Sequence, residues 1–197
     1  MYNNWKADNQ YSIAAFKAVE HTVIPQLISG KLVNIEMNPN EILVWLDQKA
    51  GIDLIRVDND GLQGIAWRAQ WGHAWDTFTI RKSRQSGSKT ELEKRLTAIK
   101  EGYFYPAYTM QAYFDNNEEN NCLSCALIKT IDLYETYLET PALFRTNYSD
   151  NEFLYIKWDD IEEKVKAWRV EKPKPEPVQQ NFQLFIPAQS GVQLKIF

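Results

Sequence analysis

The segment 46–71 constrains the fold of this chain most, because it reads as two β-strands joined by a tight turn. Residues 58–61 combine Asp, Asn and Gly, which β-hairpin turns favour. In the strand before that turn, side chains alternate between faces, so Asp53 points to the same side as Ile55 and Val57. A carboxylate among branched apolar side chains is unusual, and it makes Asp53 a candidate site residue.

The second strand of this hairpin, residues 64–71, carries Ala66, Arg68 and Gln70 on one face. Side chains on the same face of paired strands come within contact distance, so Asp53, Arg68 and Gln70 can meet. Two interpretations follow. Asp53 and Arg68 close a salt bridge in a protein without chemistry, or Asp53, Arg68 and Gln70 form part of an active site.

A helix is predicted over residues 11–29, where apolar side chains recur at three- and four-residue steps. Glu20 falls in the middle of that apolar stripe. A carboxylate on a buried face needs a partner. Glu20 therefore either pairs with Lys17, one turn away, or reaches the same cleft as Asp53.

The rest of the chain mixes strand and helix patterns, which predicts the α+β class. Residues 41–46 (EILVWL) and 152–157 predict strands, and residues 159–169 predict a short helix. A further helix follows Thr90, because Thr90-x-x-Glu93 is a capping box. On its exposed side, Glu91 and Arg95 stand one turn apart and can pair.

A chain of 197 residues with 44% hydrophobic residues is long enough for one well-buried domain. The Pro-rich stretch 171–178 predicts a stiff spacer, so we expect a domain over 1–170, then a linker and apolar tail over 171–197. No membrane-spanning run or signal peptide is visible, and we expect a cytoplasmic location. Cys122 and Cys125 are interpreted as reduced thiols, with a redox pair or half of a zinc site as the alternative.

Positive charge is concentrated over residues 80–100, which carry seven basic and two acidic residues in a chain of formal net charge −4. Arg81, Lys82 and Arg84 are the candidate contacts to a nucleic-acid backbone. A solvated helix face explains the helical half of this basic strip equally well.

The N-terminal helix with Glu20, the strands after it and G-I-D at residues 51–53 resemble the core of the PD-(D/E)XK nuclease-like superfamily, over residues 11–70. The resemblance implies a restriction-endonuclease-like α-β-β-β-α-β core, with a central mixed β-sheet flanked by helices. It also implies Mg²⁺-dependent hydrolysis of DNA. In such nucleases the first acid and the carboxylate of an E-x-K motif hold Mg²⁺, and the lysine orients or activates the attacking water.

Carried onto this chain, the resemblance implies Glu20, Asp53 and Gln70 as Mg²⁺ ligands and Asp53, Arg68 and Gln70 as catalytic residues. The E-x-K positions are occupied by Ala66, Trp67 and Arg68. Alanine supplies no ligand, and arginine stays protonated, so Arg68 can hold a phosphate but cannot act as a base. Because the amide of Gln70 is a weaker ligand than a carboxylate, we expect impaired cleavage or none.

The last residues resemble the Q-L-x-L-F peptides that bind bacterial sliding clamps, with Gln193, Leu194, Ile196 and Phe197 as the partner-binding residues. A short apolar peptide on a Pro-rich leash can tether a domain near its target. The same apolar residues are also compatible with a last strand packed on the domain. A different class of function stays open: a non-catalytic interaction protein of phage or mobile-element type that binds a protein partner.

Overall fold

The computed structural model describes residues 5–35, 37, 40–59, 61–83, 89–147 and 152–171. Five α-helices occur in this part of the chain: α1 Trp5–Val19, α2 Ile24–Leu27, α3 Glu41–Trp45, α4 Glu91–Glu101 and α5 Thr130–Glu139. The strands are β1 Lys31–Asn34, β2 Leu54–Asp58, β3 Gly61–Trp71, β4 Thr77–Arg81, β5 Tyr108–Phe114, β6 Cys122–Lys129, β7 Arg145–Asn147, β8 Phe153–Lys157 and β9 Val165–Arg169.

The central sheet has six strands in the order β1-β2-β3-β5-β6-β9. Strands β1, β2 and β3 form an antiparallel meander, and β3 then pairs with β5 in parallel. Strands β5, β6 and β9 are again antiparallel. The parallel step requires a crossover, and α4 lies in the segment that makes it. The α+β class with a mixed central sheet and helices is therefore confirmed.

Each face of the central sheet has its own hydrophobic core. On one face, α1 and α2 bury Phe16, Val19 and Leu27 against the sheet. On the other face, a three-stranded sheet in the order β4-β8-β7 packs together with α4 and α5. Because both faces are covered, β5 and β6 are buried along most of their length, which is typical of central strands.

The hairpin predicted from residues 46–71 is confirmed in its two strands, which pair from Leu54–Ile65 to Asp58–Gly61. The prediction of a strand over residues 41–46 is wrong. Those residues form α3, whose first turn is capped by Asn40, and the helix continues as a π-helical turn over Leu46–Ala50. The Asn40 side chain accepts the Leu43 N–H at 2.9 Å, and this cap favours a helix over a strand.

The segment 159–169 was also predicted incorrectly as one helix. A short 3₁₀ helix, Trp158–Lys164, ends there and β9 begins at Val165, adding an edge strand to the central sheet. The capping box of α4 is confirmed, since Thr90 accepts the Glu93 N–H and Glu93 accepts the Thr90 N–H. In the part of the chain described above, no helix is both long and apolar enough to cross a membrane.

Candidate functional site

Asp53 lies immediately before β2, and hydrogen bonds on both of its sides hold it in place. Its N–H donates to Ile65 O and its carbonyl accepts from Ile35 N, both at 3.0 Å. The side chain turns towards β3, where Asp53 Oδ2 accepts the backbone N–H of Trp67 at 2.7 Å. The carboxylate therefore sits one residue away from Arg68, at the wall of a pocket.

Arg68 is held from two sides within this pocket. Its Nη2 donates to Glu91 Oε2 of α4 at 2.6 Å, and its Nη1 donates to Thr79 O and Thr79 Oγ1 of β4 at 2.9 and 2.8 Å. Burial by itself would lower the pKa of Arg68, but the Glu91 carboxylate outweighs it and the pKa is raised. Burial likewise opposes ionisation of Glu91, yet Arg68 and Arg95 hold the pKa of this carboxyl below its usual range.

Arg95 of α4 fixes the loop that leads to Asp53. Its two terminal nitrogens donate to the carbonyl oxygens of Ala50 and Gly51, the latter at 2.7 Å. Gly51 has a φ of +58°, and a Cβ at this position would lie 2.6 Å from Arg95 Nη2. A glycine is therefore required on two grounds, the left-handed backbone and the close approach of the guanidinium.

Gln111 of β5 forms the floor of the pocket beside Arg68, its partner in the parallel register. The side chain is buried, with 1% of its surface exposed. Its Oε1 accepts the hydroxyl of Thr79 at 3.1 Å, while its Nε2 has no hydrogen-bond partner among the residues that the structure describes. A buried N–H without a partner is uncommon in native proteins.

The pocket has a volume of about 530 Å³, within the range of ligand sites in proteins. Three carboxylates and three cationic side chains line it: Asp47, Asp53 and Glu91, with Arg68, Lys94 and Arg95. Burial raises the pKa of Asp47, and the nearby Lys94 opposes that rise. The site is thus a network of opposite charges on the face of the central sheet that α4 and the three-stranded sheet cover.

The structure brings together only part of the predicted site. Asp53 and Arg68 share the pocket, whereas Glu20 and Gln70 are not among the described residues that line it. Helix α1 ends at Val19, so Glu20 falls in the turn that follows, with its side chain 30% exposed and 3.9 Å from His21. One interpretation of the sequence paired Asp53 with Arg68 in a salt bridge; in the structure Arg68 forms a salt bridge with Glu91, and Asp53 contributes to the raised pKa of Arg68.

Two of the three predicted nucleic-acid contacts, Arg81 and Lys82, lie at and just after the end of β4. The backbone N–H of Arg81 donates to Glu91 Oε2 at 3.3 Å, and its guanidinium lies over the Phe153 ring, so Arg81 adjoins the pocket. Lys82 forms a salt bridge of 3.8 Å with Glu152. Arg84 lies outside the described residues. So do the linker from residue 172 and the predicted clamp-binding residues Gln193, Leu194, Ile196 and Phe197.

Glu91, Arg95 and Gln111 are among the pocket residues that were missed as site residues in the sequence. Glu91 and Arg95 were expected to pair on an exposed helix face, but each bonds to a different element. The available signal was the apolar stripe of α4, because Arg95 lies three residues from Leu92 on the buried side. Gln111 interrupts an otherwise apolar buried strand, which is a comparable signal.

Magnesium requires oxygen ligands, and carboxylates are the strongest that a protein supplies. Among the described residues, no group of three or more His, Cys, Asp or Glu side chains is placed to hold a metal ion. Glu91 is already held by Arg68, and Asp53 already accepts a backbone N–H. The pocket therefore does not present the pair of carboxylates, Asp plus the Glu of E-x-K, that the resemblance implies.

The two cysteines are free thiols. Burial raises the pKa of Cys122 to about 12 and raises that of Cys125 well above its usual value. Burial therefore favours the protonated form of both thiols, whereas the thiolate is the reactive form of cysteine.

Comparison of the whole chain with protein-family models, with curated proteins and with solved structures gives no match.

Proposed function

We propose that this chain is a nuclease-like protein with a restriction-endonuclease-like core that acts on DNA, and that its metal-dependent cleavage is impaired. One observation carries the proposal: the chain contains the elements α1, β1, β2, β3, α4 and β5 in the order α-β-β-β-α-β, with three antiparallel strands and a parallel fourth. Three further elements interrupt that order: α2 precedes β1, α3 lies between β1 and β2, and β4 lies between β3 and α4.

The positions of two residues support the same proposal. Asp53, at the start of the second strand, and Arg68, on the third, line one pocket. These are the positions of the first acid and of the E-x-K lysine in the resemblance. Arg68 has a planar array of donors, which suits a phosphate group, and a bound phosphate would share this guanidinium with Glu91 and Thr79.

The proposed impairment of cleavage follows from the shortage of metal ligands in the pocket. A bound Mg²⁺ would lower the pKa of its water and neutralise charge on the phosphate. Ala66 offers no oxygen from its side chain, and Glu91 is committed to Arg68. Glu20 and Gln70, the further ligands that the resemblance implies, are not among the described residues that line the pocket, so Asp53 would hold the cation weakly.

DNA would reach the pocket along the end of β4. Arg81 adjoins Glu91 there, Lys82 follows it, and Arg84 is the third predicted backbone contact. Contacts of this kind give a binding constant that falls as salt rises. DNA binding can therefore be measured separately from DNA cleavage.

Cleavage is tested on single-stranded, duplex and branched DNA with Mg²⁺ or Mn²⁺, comparing the wild type with Asp53→Ala. We expect weak metal-dependent cleavage or none in the wild type, and loss of any residual activity in the variant. The double variant Ala66→Glu/Arg68→Lys rebuilds E-x-K, and we expect it to cleave faster than the wild type. Full metal-dependent cleavage by the wild type would contradict the proposal that its cleavage is impaired.

Binding is tested by titrating labelled DNA at several salt concentrations. We expect Arg81→Gln/Lys82→Gln to weaken binding and to reduce its salt dependence. The matched control is Lys17→Gln/Lys31→Gln, because Lys17 belongs to α1, which packs on the opposite face of the sheet. A wild-type protein without salt-dependent DNA binding would remove the DNA-binding proposal.

Exposed aromatic side chains favour a second candidate, a non-catalytic protein that binds a protein partner. Trp75, Tyr103 and Phe104 are 64%, 63% and 60% exposed. Aromatic residues are enriched at protein interfaces. Retention of the chain on a purified partner, without any affinity for DNA, would favour this candidate over the first.

A further inference from the structure

Gln111 is a buried polar group of the pocket lining that the proposed reaction does not use. Its side chain is almost completely buried, and its Nε2 finds no acceptor within the described residues. Leaving a buried donor without an acceptor destabilises the free protein. An acceptor supplied by a ligand would remove that cost.

The orientation of this amide follows from its neighbours. Arg68 Nη1 donates to Thr79 Oγ1 at 2.8 Å, so the hydroxyl accepts there and has its own proton to donate. That proton goes to Gln111 Oε1 at 3.1 Å. The amide oxygen is therefore satisfied, and the N–H₂ group is the end left without a partner among the described residues.

We propose that Gln111 Nε2 donates a hydrogen bond to a phosphate oxygen of nucleic acid bound in the pocket, next to Arg68. This inference rests on the proposed function and adds to it a binding residue from β5. Glutamine side chains are among the groups that bind nucleic-acid phosphates. Here the acceptor oxygen would also lie beside a guanidinium, which strengthens a bond to an anion.

A phosphate suits the pocket better than an extruded base. Bases are held by stacking on aromatic or apolar side chains. The aromatic residue among the described ones that line the pocket is Trp67, and its ring makes an edge contact with Phe16 on the opposite face of the sheet. Lys94 adds a cationic group to the pocket wall.

The test measures the dissociation constant of full-length protein for a labelled single-stranded oligonucleotide at one fixed salt concentration. We expect Gln111→Leu, which removes the donor, to weaken binding about fivefold, the value of one hydrogen bond. Gln111→Glu keeps the acceptor for Thr79 but places a carboxylate beside the phosphate, so we expect it to weaken binding at least about tenfold. Gln26→Leu, the same change on α2, which packs on the opposite face of the sheet, should leave affinity unchanged.

If Gln111 had only a structural role, the DNA affinities of the variants would follow their melting temperatures. Gln111→Glu can form an ion pair with Arg68 and should be at least as stable as Gln111→Leu, yet it should bind DNA more weakly. If the affinity loss follows the loss of melting temperature, or if both variants bind DNA as the wild type does, the inference is overturned while the proposed function stands.

A second measurement on the wild type needs no substitution. The side-chain amide signals of Gln111 in a ¹⁵N–¹H spectrum should shift on titration with inorganic phosphate, and oligonucleotides with and without a 5′-phosphate separate terminal from internal phosphates. If the signals shift with phosphate but the protein binds no DNA, the contact between Gln111 and phosphate is supported and the DNA-binding proposal is overturned. No shift with phosphate or with any oligonucleotide overturns the inference.

Discussion

Arg68 and Glu91 are 23 residues apart in the chain, and each compensates the charge of the other in a mostly buried position. The ion pair joins β3 to α4, and the hydrogen bonds from Arg68 to Thr79 join both elements to β4. A buried ion pair of this kind contributes through the large penalty for losing one partner, more than through its net attraction. Individual substitutions here should therefore have large effects.

Glu91→Gln should lower the free energy of unfolding by about 2–3 kcal/mol, because it leaves the Arg68 charge without its carboxylate. The matched control is Glu93→Gln, two residues away, where an amide oxygen can still accept the Thr90 N–H and the cost should be about 0.5 kcal/mol or less. Urea unfolding of both variants measures the difference. Equal costs at the two positions would contradict the role of the ion pair.

The same carboxyl predicts a pH dependence. Since Arg68 and Arg95 lower the folded-state pKa of Glu91 against the opposing effect of burial, its contribution to stability is complete above the unfolded value of about 4.3. It is lost as the pH falls through the folded-state pKa. The stability difference between wild type and Glu91→Gln should therefore shrink below about pH 4.3. A difference that stays constant to about pH 2 would show that Glu91 is not the titrating group.

At the scale of elements, the segment from Asn40 to Gly51 determines where Asp53 lies. Helix α3 and its π-helical turn end at Gly51, whose left-handed backbone redirects the chain into β2. Arg95 then binds the two carbonyls that the turn leaves without helical partners. One side chain of α4 thus positions the loop beside the catalytic candidate.

Gly51→Ala should destabilise the protein clearly more than Gly102→Ala. Both glycines have positive φ, of 58° and 68°. The left-handed backbone should therefore lower the free energy of unfolding of both variants by about 1 kcal/mol. A Cβ at residue 102 meets nothing within 4 Å, whereas one at residue 51 displaces the Arg95 guanidinium. Thermal unfolding measures both. Similar losses would mean that Arg95 can move without cost.

At the scale of the whole molecule, the central sheet separates two cores and holds the pocket on one side of it. The hydrophobic clusters of the described chain are formed by residues before the Pro-rich segment. The predicted clamp-binding peptide can therefore be altered without removing any of these packed residues.

Deletion of residues 172–197 should leave the melting temperature of the domain unchanged and should abolish binding to a bacterial sliding clamp, measured by calorimetry. Within the full chain, Phe197→Ala should weaken clamp binding because it removes the apolar anchor. Lys195→Ala is the matched control, since Lys195 occupies the variable position of Q-L-x-L-F. A full-length chain without affinity for the clamp would contradict the tether.

The sequence by itself determined the hairpin, the capped helix α4 and the placement of Asp53 and Arg68 in one site, because turn residues, capping residues and alternation act over a few neighbouring positions. It failed at residues 41–46, where an apolar run has no decisive period and the Asn40 cap selected a helix. Tertiary structure alone decided that Glu91 meets Arg68 and that Gln111 lies beneath them. The physical reason is the parallel crossover from β3 to β5, which pairs residues 43 positions apart, whereas α1 packs on the other face of the sheet and Glu20 is not part of the pocket lining.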